Sequence, residues 1–178
     1  EAVVGGFSAE NQIKEAIAKI QMSDVFFSKI IAGMQNYPVN GGTMSTDGKN
    51  LSYNPEFVQK LVNYGGNNSV QGVVVHEILH IAFGHHLAFA KELDEVKKTG
   101  NENLKWMVNV AADLAINDFL KGRPGFPQDL FIPGVNPHEE PFISFPANKD
   151  ARWYFNQLLE CYKKKPNPPT PDNPEKGN

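Results

Sequence analysis

A chain of 178 residues with 40% hydrophobic content is long enough to bury a sizeable core, so one domain over 1–164 is expected. A formal net charge of −3 provides no broad basic surface, which argues against nucleic acid or an anionic membrane as partner. There is no run of about 18 apolar residues to span a membrane and no signal-peptide pattern at Glu1-Ala-Val-Val-Gly-Gly; the lone Cys161 excludes an internal disulfide and fits a reducing, cytoplasmic setting.

Residues 8–20 read as an amphipathic helix capped by Ser8, with Ile13, Ala16, Ile17 and Ile20 as its buried stripe. Ser23-Asp24 opens a second helix, predicted to reach Met34, in which Phe26, Phe27, Ile30 and Ile31 form a wide apolar face. Between 42 and 53, two short strand-like runs flank Asp47-Gly48, a strong hairpin signal. Asn54-Pro55-Glu56 then starts a helix that ends at Tyr64-Gly65-Gly66. Asn67, Asn68 or Ser69 is expected to cap the next helix, which runs to Gly84 and can continue through His85 to about Lys98. Residues 103–121 predict another helix, 122–146 a long ordered loop rich in Pro and Phe, and 148–162 a closing helix. The Pro-rich stretch 165–178 reads as a disordered tail or linker. The pattern is α+β, mainly helical, with a small hairpin or sheet.

The chemistry concentrates in Val73-Val-Val-His-Glu-Ile-Leu-His-Ile-Ala-Phe-Gly84. His76, Glu77 and His80 spell H-E-x-x-H. Residues four apart share a helix face, so His76 and His80 can hold one metal ion together. Glu77 lies about 100° further round, where its carboxylate can reach a water on that metal. Two neutral imidazoles and a base are the minimal set for zinc-assisted hydrolysis. The flanks are apolar almost all round, so this helix belongs in a core, where unpaired polar groups are costly.

Catalytic zinc usually takes three protein ligands. His86 is one candidate, at the offset of the third histidine in H-E-x-x-H-x-x-G-x-x-H, although Phe83 stands where that pattern has its glycine and Gly84 comes one residue late. In a continuous helix His86 would point about 80° away from His76, with His85 roughly opposite. Asp113 is the other candidate. It lies in a polar stripe, Asn109, Asp113 and Asn117, along an otherwise apolar helix whose Ala111, Ala112 and Ala115 permit close approach by a neighbour. Asn109 and Asn117 would hydrogen-bond and orient a ligand, while His85 and Tyr53 are candidates to line the cleft.

These residues, in this order, resemble a family. The carriers are Thr46-Asp47-Gly48 with Tyr53-Asn54-Pro55-Glu56-Phe57, His76-Glu77-Ile-Leu-His80 with Gly84-His85, Trp106 with Ala111-Ala112-Asp113 and Ile116-Asn117, and the helix around Trp153-Tyr154. The chain resembles, over about residues 8–160, a zincin-like metallopeptidase domain of bacterial and phage proteins that often precedes a von Willebrand A-like domain. That resemblance implies a zincin-like fold, with the small sheet beside the H-E-x-x-H helix, and a peptidase activity. It favours Asp113 over His86 as third ligand.

The expected function is a zinc-dependent metallopeptidase acting on a peptide or protein substrate, with Zn2+ on His76, His80 and Asp113 and with Glu77 as general base. The hairpin at 42–53 is the expected support for an extended substrate. Tyr53, His138 and Tyr154 are candidate oxyanion donors, and the 122–146 loop is a candidate cleft wall. The alternative is a non-enzymatic assembly or adaptor protein that keeps a zincin-like fold with structural zinc or none.

Overall fold

The structure, a computed structural model, describes residues 7–122 and 141–164. The fold is α+β and mainly helical, with a small three-stranded sheet, as expected. The described residues form two compact units, one of residues 7–84 with 120–122 and one of residues 85–119 with 141–164. The expected tail at 165–178, most of the Pro/Phe loop and His138 lie outside the described residues. Among the described residues no helix is long and apolar enough to cross a membrane.

The first unit begins with α1 (Ala9–Ser23), capped as expected: Ser8 Oγ accepts from the Asn11 amide at 3.2 Å, and Ile13, Ala16 and Ile20 are buried. Helix α2 (Val25–Ile31) is capped by Asp24, whose carboxylate accepts from the Phe26 and Phe27 amides at 2.9 and 3.1 Å. It stops short of the predicted Met34. The chain turns instead into β1 (Gln35–Pro38), a strand that no sequence signal announced, because four polar and proline-bearing positions show no alternation. The expected hairpin is present as β2 (Met44–Thr46) and β3 (Asn50–Tyr53), paired antiparallel, while β1 lies parallel to β3 in the order β1-β3-β2. Gly48 adopts φ +90° at the turn. Asp47 accepts from the amides of Lys49 and Asn50 at 2.8 and 2.7 Å and from the Asn50 side chain at 2.9 Å, which holds its carboxyl down at about 2.

Helix α3 (Pro55–Gly65) starts from the Asn54 cap, and α4 (Asn67–Ala82) follows directly. No side chain caps α4, contrary to expectation. Gly66, at φ +66°, makes the turn, and Asn67 Nδ2 donates to the backbone oxygen and Oε1 of Gln12 at 2.9 and 3.0 Å, tying α4 to α1. Helix α4 packs against α1, α2, α3 and β2, so it is the centre of this unit. Its Val70, Val74, Val75, Ile78 and Leu79 are buried, which is why its flanks are apolar all round.

Helix α4 ends close to Gly84 as expected, and the alternative of a continuation to about Lys98 does not occur. The helix ends at Ala82; Phe83 donates to Leu79 O, Gly84 donates to Ile81 O, and Gly84 turns left-handed at φ +63°. Gly84→Ala is expected to cost about 1–2 kcal/mol, because a side chain disfavours that backbone region. Chemical denaturation would measure it.

In the second unit, α5 (His85–Ala88) is a single turn and α6 (Ala90–Thr99) a separate helix that stops at Gly100, φ +67°. Helix α7 (Glu102–Leu120) carries Ala111, Leu114 and Ile116 at 0% exposure, and α8 (Ala151–Lys164) adds Tyr154, Phe155 and Leu158 to the core. Arg152 clamps the unit. Its guanidinium lies 4.4 Å from the Phe89 ring centre and 5.3 Å from that of Phe155, forks onto Glu92 at 2.5 and 3.3 Å, and donates to Ala88 O.

That hydrogen-bonded guanidinium holds the Glu92 carboxyl below its ordinary 4.5. A carboxyl depressed in the folded state contributes fully above its unfolded value, and the contribution fades as pH falls through the folded one. Arg152→Lys, which cannot fork or stack equally, is expected to lower stability by about 1–2 kcal/mol at neutral pH. The gap should narrow as pH falls below 4.5 and through the lowered folded-state value of Glu92. Melting temperatures across pH would show it.

Candidate metal centre

Position and burial follow from the period of α4. His76 and His80 stand one turn apart, both half-buried, with ring centres 4.8 Å apart and planes at 74°. Their Nε2 atoms lie 3.1 Å from each other. Two nitrogens ligating one tetrahedral zinc at its usual bond length stand roughly 3.3 Å apart, so this pair has the spacing of co-ligands. Glu77, next in sequence and half-buried, projects from the adjoining part of the same helix.

The third-ligand candidates lie in the second unit, where Asp113 on α7 is half-buried and His86 on α5 is exposed. Two imidazole nitrogens and a carboxylate oxygen form a donor set that suits a borderline divalent ion such as zinc. His85 is 7% exposed.

The polar stripe on α7 divides by depth. Asn109 is exposed, Asp113 half-buried and Asn117 only 1% exposed. Asn117 is therefore the stripe's buried amide, the kind of group that can hold a neighbouring side chain in one orientation. Tyr53, at the end of β3, is 2% exposed, and burial together with the charge of Glu10 raises its hydroxyl above the ordinary value. Tyr154 is committed elsewhere in its unit. Its hydroxyl donates to Pro146 O at 2.8 Å and accepts from the Lys149 amide at 3.4 Å, and burial pushes it up to about 12.

The family described as "Putative metallopeptidase domain" has a model that matches residues 8–158, and the chain belongs to that family. A metallopeptidase family implies a metal, and the His76–His80 pair has the spacing to hold one. No curated protein and no solved structure matches the chain.

Proposed function

We propose that this chain is a zinc-dependent peptidase, working in the reducing setting that its lone Cys161 suits. The observation that carries the reading is the His76–His80 pair, Nε2 to Nε2 at 3.1 Å, with a glutamate between them in sequence. Asp113, the carboxylate of the polar stripe on α7, is the third ligand in this reading. Zinc, when bound, supplies Lewis-acid chemistry, lowering the pKa of water and polarising a carbonyl. A two-histidine, one-carboxylate set also suits ferrous iron. The placement of Glu77 beside His80 favours hydrolysis, because an oxygenase centre needs no base there.

Glu77 is the proton carrier. Its carboxylate takes a proton from the attacking water and returns it to the leaving amine as the peptide bond breaks, so it ends the cycle as it began. Apolar neighbours Val74, Val75, Ile78 and Leu79 keep the helix rigid and the two imidazoles in register. Strand β2 is the natural support for substrate. It packs on α4, and among the described residues it pairs on one side alone, with β3. Thr43 O and the Asp47 amide bond towards β3 and its flank, so by antiparallel alternation the backbone groups of Met44 and Thr46 face the open edge. An extended peptide can add there as a further strand.

The test is hydrolysis of a mixed peptide library by the zinc-loaded chain, followed by mass spectrometry. New amine termini that chelator abolishes and zinc restores support the reading; an intact library with a fully zinc-loaded chain contradicts it.

A further inference from the structure

We propose that the second unit carries a site of its own, for a lysine-type side chain of a peptide: an ammonium group on an aliphatic stem. Helices α6, α7 and α8 line a half-open cavity of about 340 Å³. That is the small end of the range for ligand pockets, roughly 300–1,000 Å³, and fits one long side chain with its flanking backbone. The floor is apolar: Leu104, Met107 and Phe155 are 8%, 4% and 4% exposed. A four-carbon stem laid on it removes apolar surface from water.

The rim selects the head group. Two carboxylates line the cavity, Glu92 and Glu95, one turn apart on α6. Glu92 is already neutralised by the Arg152 fork. Its neighbour Asp94 is likewise engaged, by Lys98 at 2.6 Å. Glu95 is different: among the described residues no cation pairs with it. A single uncompensated carboxylate over an apolar floor complements a cation with an apolar stem, and disfavours an anion or a purely polar ligand. Tyr162, whose hydroxyl accepts from Asn103 Nδ2 at 3.0 Å, adds a fixed aromatic side chain to the lining of the same cavity, and an ammonium group gains from an aromatic face. Asn101 spends its Oδ1 on the Leu104 amide at 3.0 Å and so keeps its Nδ2 to donate to a peptide carbonyl.

The test is a titration of the full chain, followed by amide chemical shifts, with Nα-acetyl-lysine N-methylamide and with its norleucine counterpart, which has the apolar stem without the charge. The lysine probe is expected to bind roughly fivefold more tightly and to shift amides of α6 and α8, with added salt eroding the difference. Glu95→Gln, an exposed and conservative change, should bring lysine down to the norleucine level, whereas Glu56→Gln on α3 should not. Equal binding of the two probes by the wild-type chain, or lysine binding unchanged in Glu95→Gln, overturns the proposal. Free n-butylammonium binding as tightly as the peptide-borne lysine overturns the assignment to a peptide.

Discussion

Glu77→Gln is expected to keep the metal and lose hydrolysis. The substitution preserves shape and hydrogen-bonding reach on α4 but removes the basic oxygen, and His76 and His80 stay where the helix period puts them. A positioned general base contributes about 10²–10⁴-fold to a rate, so kcat should fall by that order with zinc content unchanged. The check is twofold, turnover of a cleaved peptide and metal per chain on the same preparation. If turnover survives, Glu77 is not the base, and another proton acceptor has to be found for the reaction. If zinc is lost along with turnover, Glu77 serves the site by holding a ligand, and its proposed role moves from proton transfer to positioning.

His80→Ala is expected to give the opposite pattern, with metal and activity lost together. One nitrogen of the pair disappears, and the remaining imidazole and carboxylate make a poor site for an ion that prefers three protein ligands. Binding to the folded state alone stabilises it: a ligand at about 100 times its dissociation constant adds about 2.7 kcal/mol. The wild-type chain should therefore melt several degrees higher with zinc than with chelator, and His80→Ala should melt at one temperature in both. The apolar packing of α4 does not depend on the imidazole, since Val74, Ile78 and Leu79 form its buried side. The variant should therefore fold, which keeps the comparison clean. A zinc-dependent melting shift that persists in His80→Ala would place the bound metal elsewhere on the chain.

The apolar frame of α4 was legible because a helix packed against α1, α2, α3 and β2 needs a wide apolar surface, and the structure buries Val70, Val74, Val75, Ile78 and Leu79. The hairpin was legible from Asp47-Gly48, where an Asx carboxylate and a glycine at φ +90° make the turn that the dipeptide advertises. Strand β1 was not legible, since Gln35–Pro38 gains its place by pairing with β3 rather than by any pattern of its own. The end of α4 near Gly84 was legible from the glycine, whose left-handed turn closes the helix, but periodicity left open a continuation to about Lys98. Helix ends depend on one residue's backbone angle, which apolar periodicity does not encode. In the α7 stripe the spacing of Asn109, Asp113 and Asn117 was readable, but not their depth, which runs from exposed through half-buried to buried. The Glu95 cavity had no sequence signature, because its walls come from three helices and its distinguishing feature is a carboxylate that no cation among the described residues pairs with.

The measurement that bears most directly on the metal centre is elemental analysis of the chain purified without chelator, as wild type, Asp113→Ala and His86→Ala. About one zinc per wild-type chain is expected, with zinc lost in Asp113→Ala and retained in His86→Ala. A metal-free wild-type chain, iron in place of zinc, or zinc lost in His86→Ala and kept in Asp113→Ala would contradict the account.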